Sequence, residues 1–184
     1  ANAATGSGGL VDAQRMCELT ANELGCSNNE VLVCSTGWIG YSLPMEFITS
    51  GISQVVNSLD EDGGLVAAEA IMTTDTVSKH TLVVGDGFKV GGIAKGAAML
   101  EPNMATMLAV LTTDADVDSH TATELLKKAV STSFNCLTVD GAESTNDSVI
   151  LLASGLAGPI NTSVLGEALS SACRDLAIQM ADDA

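Results

Sequence analysis

Aromatic and basic residues are both scarce in this chain. Aromatic side chains make up 3% of its 184 residues, and 7 Lys and Arg residues stand against 23 Asp and Glu, for a net charge of −16. Binding to nucleic acid or to an anionic membrane surface needs clustered cations that neutralise phosphate groups. The charge balance therefore argues against nucleic acid and anionic membranes as partners. Because aromatic residues are so few, any core must be built from aliphatic side chains.

A long apolar run, a leader sequence and paired cysteines are also missing. No run approaches the roughly 18 residues of a membrane-spanning helix, and ANAATGSGG at the start lacks the basic and apolar parts of a signal peptide. The 5 cysteines are scattered and have no CxxC spacing, which favours reduced thiols over disulfides or a zinc site. We expect a cytoplasmic protein without a metal. Because an initial Met and a final helix-stop signal are absent, we expect a central part of a longer chain.

Several familiar motifs are incomplete. GDGFKVGG has Val90 where the dinucleotide fingerprint needs its third glycine, and GGIAKG lacks the spacing of a phosphate-binding loop. DADVDSHTATEL starts like a calcium loop, but Ser119 and Leu125 replace the required Gly and Glu. His80 and His120 have no potential metal ligands at suitable spacing, so both are interpreted as structural or surface residues.

The alternation of helical and strand patterns predicts an α/β or layered α+β fold of mixed sheets packed with helices. Residues 1–9 are expected to form a loop, and the GDG at 85–87 the turn of a hairpin. The expected helices cover residues 10–24, 44–59, 65–72 (buried), 119–133, 144–155 and 163–181. The expected strands cover residues 30–37, 80–96 as the hairpin, 106–111 and 136–141.

Thr106 follows a Pro-Asn-Met turn and precedes an apolar strand in EPNMATMLAVL. A Thr hydroxyl is a poor nucleophile unless a base adjoins it. Cutting the chain immediately before Thr106 supplies such a base, because a free α-amino group has a pKa of about 7.7–8.0. The Thr oxygen can make that cut by attacking the preceding carbonyl, after which water hydrolyses the ester. From these residues alone, a nucleophile and a structural Thr both remain open.

The same region resembles the processing site of the ornithine acetyltransferases (glutamate N-acetyltransferases) of arginine biosynthesis. Lys95 and the run from Pro102 to Leu108, in KGAAMLEPNMATML, match the family segment that is cut between Ala and Thr. Five further blocks match in the family's order and, with this one, cover nearly the whole chain: ANAATG, VCSTGWIGYSLPM, AAEAIMTTDT, GGIAKG and VDGAESTND. Six ordered blocks are a more specific signal than any single motif.

The resemblance implies an N-terminal-nucleophile-like acetyltransferase fold, present here as a central fragment. Residues 1–105 would be the C-terminal part of an α chain, and residues 106–184 the N-terminal part of a β chain, after cleavage between Ala105 and Thr106. Thr106 would be the nucleophile, and its freed amine the general base and then the general acid.

The other implied site residues lie in three of the matching blocks. Thr36 and Gly37 match the oxyanion-hole pair, and Thr73 and Lys95 match substrate-binding positions. The resemblance implies ping-pong transfer of an acetyl group from N²-acetylornithine to glutamate, with no metal or prosthetic group, in a cytoplasmic assembly of two α and two β chains. Acetyl-CoA is a further donor in some members of the family.

Structural interpretations remain for each of these residues. Thr36 and Gly37 also fit a strand-end turn, Thr73 a helix stop and Lys95 a solvated charge, while STND at 144–147 is interpreted as a helix cap. Glu101 departs from the family pattern and is closer to paralogues of clavulanic-acid gene clusters. Two alternatives to the transferase stay open: an N-terminal-Thr amidohydrolase or aminopeptidase with water as acceptor, and a non-catalytic fragment or relative.

Overall fold

A computed structural model describes residues 1–98, 107–141 and 144–184. The chain divides into two compact units, Ala1–Gly63 and Gly64–Ala184. These compact units are not the α-chain and β-chain parts that were expected from cleavage between residues 105 and 106. That expectation concerns the covalent chain, and it stays a prediction. The cleavage residues Ala105 and Thr106, and also Glu101, lie outside the described residues.

The first unit contains two helices and a long irregular segment. Helix α1 covers Gly6–Leu24 and ends at Gly25, whose φ of 71° is the left-handed conformation that commonly terminates helices. Helix α2 covers Met45–Asn57 and begins directly after Pro44, as predicted. The helices pack against each other. A 3₁₀ turn at Asn28–Glu30 is closed by a capping box between Ser27 and Glu30.

Two predictions for this unit are wrong. The loop expected over residues 1–9 becomes helical at Gly6, because the Asn2 amide donates to the Gly9 carbonyl at 2.7 Å and Thr5 Oγ1 donates to Asn2 Oδ1 at 2.6 Å. The strand expected over 30–37 does not form: the segment continues without ladder partners after the 3₁₀ turn. Its apolar run resembles a strand, but pairing depends on a neighbour that a local pattern does not reveal.

The second unit is a four-stranded mixed sheet with helices packed on it, which confirms the α/β class. The strand order is β1-β2-β3-β4, with antiparallel β1–β2 and β2–β3 pairs and a parallel β3–β4 pair. The strands are β1 Lys79–Val84, β2 Lys89–Lys95, β3 Leu108–Asp116 and β4 Ser148–Pro159. The helices are α3 Gly64–Ala70, α4 Ser119–Ser131 and α5 Thr162–Asp182.

Helix α5 supplies much of the core of this unit. Its buried residues include Leu169, Cys173 and Leu176, and it contacts both β1 and β2. Gly92 of β2 allows this close approach, since a Cβ there would lie 3.1 Å from Leu176 Cδ1. The core is aliphatic, as the composition predicted, apart from Phe88 and Phe134.

The predicted hairpin, the strand after Thr106 and the helices α4 and α5 are confirmed. Helix α4 is capped by Asp118, whose carboxylate accepts from the Thr121 N–H at 2.9 Å. Helix α3 forms but is not buried as expected, because Leu65 and Val66 are 54% and 70% exposed.

Two further predictions for this unit are wrong. Residues 144–155 were expected to be a helix, but β4 begins at Ser148 and pairs with β3, with a shift in register between the Thr113–Ala153 and Ala115–Gly158 pairs. The apolar run SVILL there is equally compatible with a buried strand, which sequence periodicity does not separate from a helix. The strand expected over 136–141 is absent, and a 3₁₀ turn at Phe134–Cys136 includes the first residue of that segment.

Candidate active site

Lys95, a predicted substrate-binding residue, is the last residue of β2 and pairs in register with Leu108, the first residue of β3. Its side chain is not the solvated charge of the structural interpretation, because Lys95 is only 2% exposed. Lys95 Nζ lies 3.8 Å from Asp75 Oδ2. The β2–β3 pairing therefore places this buried ammonium at the sheet end where the chain approaches Thr106 in sequence.

Asp75 connects the two predicted substrate-binding segments. Its Oδ1 accepts from the backbone N–H of Gly96, the residue after Lys95, at 2.7 Å. Its Oδ2 accepts from the backbone N–H of Thr73 at 3.1 Å. Thr73 itself is exposed and lies between helix α3 and strand β1. The structure thus brings the Thr73 and Lys95 segments together around one buried carboxylate.

A second lysine, Lys79, is completely buried and lies between two carboxylates. Lys79 Nζ donates to Asp75 Oδ1 at 2.8 Å and to Asp183 Oδ2 at 2.5 Å. Asp183 follows the end of α5 and also accepts from the Thr76 N–H at 3.0 Å and from the Thr76 hydroxyl. This arrangement ties the C-terminal end of α5 to the chain segment before β1.

The electrostatics of the cluster follow from burial and pairing. Burial alone would raise the pKa of Asp75, but hydrogen bonds from Lys79, Gly96 and Thr73 outweigh it, and the pKa lies below its usual value. The hydrogen bond from Lys79 likewise lowers the pKa of Asp183. Burial lowers the pKa of Lys95, and the nearby Lys79 charge adds to this, while the Asp75 charge opposes it.

The predicted oxyanion-hole residues, Thr36 and Gly37, lie in the first unit, on the loop that follows residue 33. The N-terminal segment holds this loop: Ala1 N donates to the Trp38 carbonyl at 2.9 Å, and the Asn2 N–H donates to Ser35 Oγ at 3.0 Å. The Gly40 N–H donates to the Ala3 carbonyl at 2.8 Å. The blocks ANAATG and VCSTGWIGY are therefore adjacent within this unit.

Gly37 has a conformation that only glycine adopts readily. Its φ is 126°, and a Cβ at this position would lie 3.0 Å from Ala1 N. Thr36 is half-buried beside it, and Gly37 is exposed. A hydroxyl and an exposed glycine N–H in a constrained loop are the kinds of donor that an oxyanion hole uses.

Met107, which follows Thr106 in the chain, is held by two residues at the start of strand β4. The backbone N–H of Met107 donates to Asp147 Oδ1 at 2.9 Å, and the Ser148 N–H donates to the Met107 carbonyl at 3.1 Å. Met107 is 1% exposed. Burial raises the pKa of Asp147, against the opposing effect of the hydrogen bonds from Met107 and Ser144. Asp147 is therefore not the helix cap that was expected of the STND block.

Two negative observations concern the described residues alone. Within 1–98, 107–141 and 144–184, no three His, Cys, Asp or Glu side chains are grouped so that they could hold a metal ion. No helix in these same ranges has the length and apolar character needed to cross a membrane.

Comparison with known proteins gives the family. The ArgJ family model matches residues 1–184. The chain belongs to the ArgJ family. This confirms the family resemblance that its sequence blocks indicated, and the segments just described are therefore those of an ArgJ-family chain.

Individual ArgJ relatives align with the whole or most of the chain. The "Arginine biosynthesis bifunctional protein ArgJ" of Thermobifida fusca (strain YX) is 46% identical over 185 residues, which cover 100% of this chain and 48% of the relative. The protein of the same name from Thermotoga neapolitana is 52% identical over 162 residues, covering 86% of this chain and 41% of the relative. The chain spans about half the length of the curated relatives it matches.

One solved structure is also similar, but distantly. It is a crystal structure of a Pyrococcus horikoshii OT3 protein, with a TM-score of 0.48 and 15% identity, over 73% of this chain and 49% of that chain. This likeness is too low to support an argument about the fold family or the site.

Four polar residues of this ArgJ-family chain were not identified from the sequence: Asp75, Lys79, Asp147 and Asp183. Asp75 and Lys79 have the i, i+4 spacing of a local ion pair, but that spacing does not distinguish a buried pair from an exposed one. Lys79 and Asp183 are 104 positions apart, so only the packing of α5 on the sheet brings them together. For Asp147, the helix prediction concealed its role at the start of β4.

Proposed function

We propose that the full-length protein carrying this chain is a self-processing acetyltransferase of arginine biosynthesis. It transfers an acetyl group from N²-acetylornithine to glutamate, and it uses acetyl-CoA as a second acetyl donor, in keeping with the word bifunctional in the names of its relatives. The observation that carries the proposal is the ArgJ family match over residues 1–184, which includes the KGAAMLEPNMATML segment. The N-terminal-nucleophile-like assignment of the fold belongs to the same proposal.

The first chemical step is cleavage of the chain between Ala105 and Thr106. The Thr106 oxygen attacks the Ala105 carbonyl carbon, the C–N bond breaks, and the acyl group moves from nitrogen to oxygen. Water then hydrolyses the ester, which leaves a carboxylate on Ala105 and a free amine on Thr106. That amine has a pKa near neutrality and adjoins the hydroxyl that it must deprotonate.

Acetyl transfer follows in two steps through an ester on Thr106. The Thr106 oxygen attacks the acetyl carbonyl of N²-acetylornithine, and the α-amine passes the hydroxyl proton to the departing ornithine nitrogen. The glutamate amine then attacks the acetyl ester, which forms N-acetylglutamate and restores the hydroxyl. The Thr36 hydroxyl and the Gly37 N–H stabilise the negative oxygen in each step.

Lys95 binds the α-carboxylate of the substrate, and Thr73 contributes to the same site. A buried ammonium in a chain with only 7 Lys and Arg residues is a selective partner for an amino-acid carboxylate. Both candidate residues lie on segments that bond to Asp75. This juxtaposition supports the assignment of one substrate site to the two segments.

Cleavage at this point would leave β2 in an α chain and β3 in a β chain. The two strands pair from Val90–Thr113 to Lys95–Leu108, so sheet hydrogen bonds would hold the two chains together. We extend the proposal to a cytoplasmic assembly of two α and two β chains.

A product assay tests the proposed reaction. The full-length protein is incubated with N²-acetylornithine, labelled in its acetyl group, with and without glutamate, and products are separated by mass spectrometry. The proposal expects labelled N-acetylglutamate and an equal amount of ornithine. Labelled acetate formed at the same rate without glutamate would instead identify an amidohydrolase, and an unchanged substrate would identify a non-catalytic relative.

A further inference from the structure

One buried carboxylate, that of Asp75, contacts both segments that carry the candidate substrate-binding residues. It accepts hydrogen bonds from the backbone N–H groups of Gly96 at 2.7 Å and Thr73 at 3.1 Å. It also lies 3.8 Å from the ammonium of Lys95. The Asp75 side chain therefore contacts both the end of β2 and the segment after α3. Asp75 and Gly96 are 21 positions apart in the chain, and the β1–β2 hairpin lies between them.

We propose that Asp75 is the positioning residue of the substrate-carboxylate site: it holds the Lys95 ammonium and the Thr73 backbone in place without touching the substrate. The inference rests on the proposed function. In this arrangement Asp75 positions Lys95, and Lys95 contacts the substrate.

The distances support a positioning role. At 3.8 Å, Lys95 Nζ and Asp75 Oδ2 are farther apart than the 2.7–3.2 Å of a hydrogen bond, but close enough for a strong attraction between buried charges. Asp75 instead forms its short side-chain hydrogen bond with Lys79, at 2.8 Å. Asp75 thus attracts the Lys95 ammonium without taking up its N–H donors, which a substrate carboxylate requires.

A purely structural role for Asp75 makes a different prediction. In that case Asp75 only compensates the buried charge of Lys79, a function that it shares with Asp183 at 2.5 Å from the same ammonium. Asp183 bonds to Lys79 and Thr76, whereas Asp75 bonds to Lys79 and to the Thr73 and Gly96 backbone. The two carboxylates therefore form a matched pair, of which only Asp75 bonds to the backbone of Thr73 and of Gly96, the residue after Lys95.

The test compares Asp75→Asn with Asp183→Asn in the full-length protein, using the transfer of acetyl from N²-acetylornithine to glutamate. Each variant removes one of the two carboxylates that bond to Lys79. We expect Asp75→Asn to raise KM for N²-acetylornithine about tenfold or more, and Asp183→Asn to leave it within about threefold of the wild-type value. Equal KM values in the two variants would overturn the proposal.

The pH dependence tests whether the Asp75 charge acts on the protonation of Lys95. The charged groups that the described residues place around Lys95 are Asp75 and Lys79, with Asp183 on the far side of Lys79. Removing the Asp75 charge makes Lys95 lose its proton at lower pH. The alkaline limb of kcat/KM should therefore move to lower pH in Asp75→Asn and stay in place in Asp183→Asn, and an unmoved limb in Asp75→Asn would contradict the proposal.

A direct titration separates this inference from the proposed function. Lysine ¹³Cε signals are followed against pH by NMR, with Lys95 assigned from its absence in Lys95→Arg. Lys95 should titrate at lower pH in Asp75→Asn than in Asp183→Asn even if the protein transfers no acetyl group, in which case only the proposed function fails. Identical titrations would overturn the inference. If Asp75→Asn does not fold, Asp75→Glu keeps the charge but moves it by one methylene, and an unchanged KM in that variant would equally overturn it.

Discussion

The Asp147 carboxylate accepts a hydrogen bond from the Met107 backbone N–H at 2.9 Å, immediately after the proposed nucleophile Thr106 in the chain. The Ser148 N–H donates to the carbonyl of the same residue. Both backbone groups of Met107 are therefore bound by the start of β4. The chain is thus held at Met107, one residue after Thr106 in the sequence, and strand β3 begins at the next residue, Leu108.

Asp147→Ala should slow cleavage between Ala105 and Thr106 by about tenfold or more. The substitution leaves the Met107 N–H without its acceptor, and an unsatisfied buried donor costs about 1–3 kcal/mol. Asp147→Asn keeps an acceptor oxygen and should cleave at close to the wild-type rate. The measurement is the fraction of cleaved chain against time after translation in a cell-free system.

Asp114→Ala is the control for Asp147→Ala. Asp114 lies at the other end of β3, where its carboxylate accepts from the Lys89 N–H at 2.7 Å, so the same type of bond is lost away from the cleavage point. We expect cleavage at about the wild-type rate in that variant. Wild-type cleavage in Asp147→Ala would show that the Met107 bond does not matter.

Lys79→Met should reduce the free energy of unfolding by about 3–5 kcal/mol, because it leaves the buried carboxylates of Asp75 and Asp183 without their shared partner. Lys127→Met is the matched control, since Lys127 forms an ion pair with Glu124 at 3.2 Å but its side chain is 71% exposed. An exposed pair contributes about 0–1 kcal/mol. Urea unfolding of the full-length protein measures both, and similar losses in the two variants would contradict the assignment of a stabilising role to the buried cluster.

The same cluster predicts how stability depends on pH. The pKa values of Asp75 and Asp183 lie below their usual values in the folded state. Their contribution is therefore complete above the ordinary Asp pKa of about 3.9 and is lost as the pH falls through the lower folded-state values. The thermal midpoint of the wild type should fall steeply below about pH 4. Lys79→Met should show a weaker dependence over that range, and an equally steep one would argue against the ion pairs as its cause.

Gly37→Ala should lower kcat by a factor of about 10²–10³, the usual effect of losing one oxyanion donor. Its φ of 126° and the 3.0 Å approach of a Cβ to Ala1 N force the loop to shift, and the N–H shifts with it. Gly40→Ala is the control from the same loop, because Gly40 also has a positive φ, of 80°, but a Cβ there meets no atom within 4 Å. Steady-state kinetics should show kcat for Gly40→Ala within about threefold of the wild type. Equal losses in both variants would indicate general distortion of the loop.

Elements with local signals were predictable from the sequence. Gly25 ends α1, Asp118 begins α4 and the GDG turn closes the β1–β2 hairpin, and each of these depends on residues close in the chain. Strand β4 was mistaken for a helix because its identity depends on pairing with β3, about 40 residues earlier. An apolar run of this length fits a buried strand and a helix equally well.

The candidate site likewise contains residues that the sequence identified and residues that only the structure revealed. Lys95, Thr73, Thr36 and Gly37 were found by matching ordered sequence blocks, which identify positions without giving their surroundings. The Asp75–Lys79–Asp183 cluster was missed because burial turns ordinary surface residue types into a charge network, and Asp183 reaches it only through the packing of α5. A local pattern contains neither the burial nor this long-range contact.

The most direct test of the proposed mechanism is the intact mass of the full-length protein, measured alone and after brief exposure to N²-acetylornithine. We predict two chains that meet between Ala105 and Thr106, with the mass of one acetyl group added to the chain that begins at Thr106. Thr106→Ala should give one unmodified chain, whereas Thr112→Ala, a substitution at an exposed threonine of β3, should behave as the wild type. A single unmodified wild-type chain under both conditions, or acetylation that persists in Thr106→Ala, would contradict the proposal.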